Sequence, residues 1–240
     1  MRKCVSERMQ RMLEEGRIDK SRIIYRMSGY GKERELLEKS VKKTVYGNLT
    51  VVLALDLTND HCRKSQMEMR ITREDLLRWD IKEEELWKLA GENTPKRRPA
   101  VLRTMEEVLE ELIQSVAVAK GNKEIEKEII ADSVRHNECT FPMYVLTNQL
   151  GVNGAAVMLY PGVLKSAAEK IGGDLIILPS SIHEVILLKW NEEIYLERAA
   201  EVVRLINRED VLPEDVLSDS VYVYRQDSGK IECVAVDEEK

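Results

Sequence analysis

The chain has 240 residues, 43% hydrophobic and 33% charged, with a formal net charge of −6. That is the balance of a globular protein with one substantial core and a generous polar surface. Its apolar runs, such as residues 51–55 and 185–188, are strand-length, which excludes a membrane-spanning helix. "MRKCVSERMQRMLEEG" has charges but no apolar secretory core, and a cytoplasmic location is the default expectation. Cys4, Cys62, Cys139 and Cys233 stand singly, without a CxxC pair, as free thiols do in a reducing compartment.

The charge is uneven. Residues 1–50 carry 13 Lys/Arg against 7 Asp/Glu (+6), and residues 191–240 carry 6 against 14 (−8). The bland reading is solvated helix faces of unequal sign. The alternative is that the two ends attract, within one molecule or between molecules. "PKRRP", residues 95–99, is the only dense basic cluster and has no aromatic ladder beside it, so nucleic-acid binding is not supported.

The chain divides into a basic helix over residues 1–21 and a single α+β domain over 22–240, with a helical segment at 72–135 between an N-terminal hairpin and a C-terminal sheet. In the basic helix, Met9, Met12 and Leu13 recur at helical spacing and give a face to bury against the domain or a neighbour. "SGYGKERE" (Ser28 to Glu35) places Gly29 and Gly31 before a possible helix, with Lys32 and Arg34 near; it lacks the full P-loop pattern and reads as a turn. "TVVLALDL" (Thr50 to Leu57) is a β-branched, apolar strand, and "SQMEMRI" alternates so that Met67, Met69 and Ile71 share a face. The polar "TNDHCRK" between them predicts a hairpin.

Thr72 is positioned to cap "ITREDLLRW", with Glu74 and Asp75 in its first turn, and "IKEEELWKLAGENT" predicts a second short helix stopped near Gly91 and Pro95. Thr104 and Glu107 form a capping box for "TMEEVLEELIQSV", whose Met105, Val108, Leu109, Leu112, Ile113 and Val116 fill one stripe. "GNKEIEKEIIADSV" reads as a charged helix.

"MYVLTN" and "GAAVMLY" flank a loop with Gly151 and Asn153 and predict a second hairpin. Pro161 opens the helix "GVLKSAAEKIGG", which ends in capping glycines, and "DLIIL" and "HEVILLKW" follow as strands. "EEIYLERAAEVVRLI" is an amphipathic helix, Pro213 to Leu217 a short helical turn, and "VYVYR" and "IECVAV" a last hairpin. The sum is an α+β fold: an antiparallel or mixed sheet built largely from hairpins, with helices packed on it.

Several of these stretches together, "ITREDLLRWDIKEEELWKLAGENT", "MYVLTN", "GAAVMLYPGVLKSAAEKIGGDLIILPSSIHEVILL" and "VLPEDVLSDSVYVY", resemble the uncharacterised bacterial family catalogued as domain of unknown function five-six-eight-eight. The resemblance runs from about Arg22 to Arg225, with "LPSSIHEVI" its most specific part. Because members usually have a further segment before "RIIYRM", it implies a short member or one missing its front. It supports the fold and assigns no activity, cofactor or catalytic residue.

Two constellations carry chemistry. Ser180, Ser181, His183 and Glu184 supply the residue types of a serine hydrolase: a hydroxyl, a base and an orienting acid. The spacing argues against it, since a strand beginning at His183 sends Glu184 to the opposite face and no GxSxG elbow surrounds either serine. On the competing reading Pro179 and the serines simply break the chain between two strands. His61-Cys62 and His136-Cys139 are the weak metal candidates for a tetrahedral His2Cys2 zinc site, but neither pair has knuckle spacing. No residue pattern asks for a cofactor. The expected function is therefore a non-catalytic binding or regulatory module. A hydrolase using Ser180 or Ser181 with His183, and a dimeric scaffold partnered through the N-terminal segment, are the alternatives.

Overall fold

The computed structural model describes residues 18–29, 34–58, 67–120, 142–191, 196–209 and 211–235. The expected basic helix up to residue 17, the 59–66 loop, the charged helix at 121–134 and, from the acidic segment, residues 192–195, 210 and 236–240 lie outside the described residues.

Two antiparallel sheets share one core. The first is centred on β3 (Leu49–Asp56), all of whose residues are buried. β1 (Ile23–Ser28) runs along one side of it, and β2 (Lys42–Val45) and the short β4 (Glu68–Arg70) lie end to end along the other. Between them comes α1 (Arg34–Lys39). The second sheet has six strands in the order β10-β9-β7-β8-β6-β5, comprising β5 (Ala100–Thr104), β6 (Met143–Asn148), β7 (Leu175–Leu178), β8 (Val185–Lys189), β9 (Val221–Arg225) and β10 (Lys230–Ala235). Every pairing among the described strands is antiparallel, so the mixed-sheet option is not the one adopted.

The caps expected at Thr72, Thr104 and Gly172 are in place, whereas Pro161 precedes the N-cap Gly162 and does not open its helix. α2 (Arg73–Trp79) starts at Thr72, whose side chain accepts from the Asp75 amide while Asp75 accepts from the Thr72 amide. α4 (Met105–Lys120) starts at Thr104, whose amide donates to Glu107 at 2.9 Å. α5 (Val163–Ile171) ends at Gly172, with φ of 92°.

Four other expectations are corrected. α3 (Glu83–Arg97) runs through Gly91 and Pro95. Proline there removes the helical bond to the carbonyl of Gly91, a residue on the exposed face, while Leu86, Ala90 and Thr94 are buried on the other face. The helical stretch expected over 72–135 is interrupted by β5. "GAAVMLY" is a 3-10 helix, Gly154–Leu159. Both edges of β6 are taken, by β5 and β8, so this small-residue segment has no strand to pair with and is driven into the core. Finally, the turn at Pro213 ends in extended backbone, where Val216 bridges Ser181.

Alternation in β7 shows how the layers form: Leu175 and Ile177 point into the main core, and Ile176 joins Ala200 of α6 (Leu196–Glu209) on the opposite face. α3 covers the free edge of β1, since the Tyr25 amide donates to Thr94 and the Asn93 amide donates to the Ile23 carbonyl. Asn48 ties the sheets together by donating to Ser220 at 2.8 Å and accepting from the Tyr222 hydroxyl.

Candidate functional site

From Val51 onward β3 is apolar until its last residue, Asp56, whose side chain is only 1% exposed. Directly opposite in the ladder stands Glu68 of β4. Two carboxylates facing each other across a ladder repel, and burial raises the cost. The "KRR" segment that ends α3 resolves this. Arg97 Nε donates to Asp56 at 2.9 Å, and one Arg98 nitrogen lies 3.3 Å from Asp56 and 3.2 Å from Glu68. Arg26 of β1 approaches Glu68 at 3.5 Å. Cations also suit this place because a helix C-terminus carries partial negative charge.

Burial is the largest influence on the Asp56 carboxyl and pushes its pKa up. Hydrogen bonds from Thr58 and the charges of Arg98 and Arg97 together outweigh it and hold the group below the usual carboxylate range. Arg98 is anchored through its backbone as well: the Tyr160 hydroxyl donates to its carbonyl at 3.0 Å, and the Tyr160 ring meets Tyr25 edge-on at 6.1 Å. Burial raises both phenols far above the ordinary tyrosine range.

Around these arginines lies a cleft of about 210 Å³, lined by Asp56, Thr58, Lys96, Arg97, Arg98, Gln149 and Leu150. Three cations and one carboxylate line it, a surplus of positive charge held on a rigid helix end. Sequence reading singled out "PKRRP" as a basic cluster and tied it only to nucleic acid. The signal that went unused was the lone aspartate closing an apolar strand, a charge that needs partners when buried.

The "SSIHE" stretch joins β7 to β8, as the turn reading expected. Ser181 is 5% exposed, and its Oγ accepts from the His183 amide at 3.0 Å. The Ile182 amide donates to Asp215, and the Leu217 amide donates to Ser180, so the loop before β9 is stitched onto this turn. β8 begins at Val185, so His183 and Glu184 precede the strand and are not forced onto opposite faces. Glu184 feels His183 and is hydrogen-bonded with Ser181, yet burial dominates and raises its pKa.

His183 is held at both ring nitrogens. Its Nδ1 accepts from the Asn153 amide at 3.2 Å, and its Nε2 faces Asp215 at 3.4 Å. The residues are brought together, but the ring serves three loops and is not directed at a serine hydroxyl. Asn153 also donates to Glu68 at 3.2 Å, which links this turn to the arginine cluster. The other sequence candidates, His61, Cys62, His136 and Cys139, lie outside the described residues; among the described ones no group of three His, Cys, Asp or Glu is placed to hold a metal ion. No described helix is long and apolar enough to cross a membrane.

The model of a family described as "Family of unknown function (DUF5688)" matches residues 3–226, which takes in both the cleft and the turn. No curated protein and no solved structure matches the chain.

Proposed function

The chain belongs to the DUF5688 family, and from that premise we propose that it is a non-catalytic cytoplasmic binding module whose cleft at the end of α3 takes a small oxyanion, as a free ion or as the anionic group of a larger ligand. The observation that carries this reading is the lining of the cleft: among its described residues Lys96, Arg97 and Arg98 stand with one carboxylate, Asp56, while Glu68 pairs with Arg98 from outside the lining. Asp56 and Glu68 fix the arginines in place, so little side-chain freedom is lost when an anion arrives. A volume of about 210 Å³ admits a phosphate- or sulfate-sized group, with room for what it is attached to. The occupied ring nitrogens of His183 favour binding over serine hydrolysis.

Calorimetric titration with sodium sulfate, whose charge does not change near neutral pH, tests the reading. Binding that weakens with added chloride and falls about tenfold in Lys96→Glu is expected, from loss of a charge-assisted contact. Lys88→Glu, an exposed change on the same helix, serves as the control. No heat of binding, or an equal effect from the control, overturns it.

A further inference from the structure

A sheet edge is a template for another chain unless it is covered, bulged or charged. Among the described strands three of the edges are protected. β1 lies under Asn93 and Thr94 of α3. Exposed Lys42 and Lys43 mark β2, and β4 has only three residues. β10 carries Lys230 and Glu232 and a register break between Cys233 and Ala235. β5, "AVLRT", has none of these devices on its inner face; its one charge, Arg103, is paired with Glu111 of α4.

The open hydrogen-bonding groups of β5 can be assigned. Gln149 donates to the Pro99 carbonyl at 2.9 Å, so residues 99 and 149 are a bonded pair of the β5–β6 ladder. Bonded and non-bonded pairs alternate in an antiparallel ladder, which turns the N–H and C=O of Ala100 and Leu102 away from β6. Thr104 follows the same phase, and its amide is taken by Glu107.

Beside this edge lies a groove of about 370 Å³. Its floor is Ala100 and Leu102 of β5 with Leu146 of β6, which stands opposite Leu102. Its far wall is one stripe of α5: Val163, Ser166, Ala167 and Lys170, spaced i, i+3, i+4 and i+7. An open strand edge beside an apolar sheet face that a helix leaves uncovered can receive an extended chain, with backbone bonds to the edge strand and alternate side chains leaning over the groove. Among the described residues Lys170 is the only charged one lining it.

We propose that the groove between β5 and α5 is a docking site for an extended segment of a partner protein, added as a seventh strand beside β5. The segment is apolar at alternate positions, for the Leu102, Leu146 and Ala167 surface, and carries an acidic residue that meets Lys170. A second copy of this chain is the weaker occupant: pairing β5 with β5 joins two five-residue strands, far short of the roughly 1,000 Å² that a stable dimer interface buries.

The full chain is panned against a random-peptide phage library, and enriched sequences are synthesised and measured by fluorescence anisotropy. Expected are alternating apolar residues with one Asp or Glu, and affinity reduced about tenfold or more by Ala100→Pro, which removes an outward donor, and by Lys170→Glu. A peptide whose acidic residue is replaced by Lys regains affinity for Lys170→Glu. Circular dichroism checks that both variants are folded; Lys170 is exposed, so its variant tests the site even where the proline variant unfolds. No enrichment over bare support, or peptides that bind both variants as they bind wild type, overturns the proposal. So does a wild-type dimer that Ala100→Pro converts to monomer, since the occupant is then a second copy.

Discussion

Replacing Asp56 by Asn keeps the shape of the side chain and deletes its charge. The consequence can be worked from the structure. Arg97, whose side chain is 20% exposed, loses its carboxylate at 2.9 Å. Arg98, 7% exposed, loses one of two carboxylates and keeps Glu68 at 3.2 Å. Removing one partner from a buried ion pair costs roughly 3–5 kcal/mol, because the other charge stays buried and uncompensated. The surviving Glu68 contact and the partial exposure of Arg97 put this case at the lower end, about 3 kcal/mol, or a fall in Tm of about 6–12 °C for a chain of this size. Urea unfolding followed by circular dichroism at neutral pH measures it. The pH dependence gives the sharper test. The Asp56 pKa is depressed by folding, so its stabilisation is fully present above the unfolded-state carboxylate value and disappears as pH falls through the folded one. The gap between wild type and Asp56→Asn is therefore constant near neutrality and closes in acid. A loss below about 1 kcal/mol, in the range of surface ion pairs, or a gap that stays constant into strong acid, refutes the assignment of Asp56 as the ionised anchor of the two arginines.

The other predictions concern the turn and its neighbours. Glu184 has a raised pKa, chiefly from burial, so its charged form opposes folding; Glu184→Gln is expected to raise Tm at neutral pH, with the gain vanishing as pH drops below the unfolded glutamate value. A Tm that falls at neutral pH counts against this. Ser181→Ala removes the acceptor for the His183 amide and is expected to cost about 1 kcal/mol in urea titrations. In the same experiment a fluorophosphonate probe is expected to leave Ser180 and Ser181 unlabelled; labelling abolished by His183→Ala reverses the preference for binding over hydrolysis. Gly154→Ala drives a methyl into Thr147 Oγ1 and the His183 carbonyl oxygen, and is expected to cost about 2–3 kcal/mol of overpacking. An unchanged Tm for that variant contradicts the close approach of the 3-10 segment to β6. Purified protein is expected to carry no stoichiometric zinc, and elemental analysis with about one ion per chain, lost in Cys139→Ser, contradicts that.

What the sequence determined by itself was local. Thr72, Thr104 and Gly172 mark helix ends because a cap is written in a handful of adjacent residues. The apolar runs of β3 and β7 declare strands, and short polar connections declare antiparallel pairing. β1, β2 and β5 carry a weaker local signal and went unseen, since a short strand is defined as much by the neighbour that bonds it as by its own residues. "GAAVMLY" is the sharpest case: its composition suits a strand, and only the prior occupation of both β6 edges makes it a 3-10 helix. The candidate site was decided wholly by tertiary structure. Asp56 and Arg97 are 41 positions apart, and Asn153 and Glu68 are 85 apart. Periodicity records that a face will be buried and is silent on what will bury it. Which charge meets which is settled when the two sheets close on one core, where every buried carboxylate must find a cation or a donor.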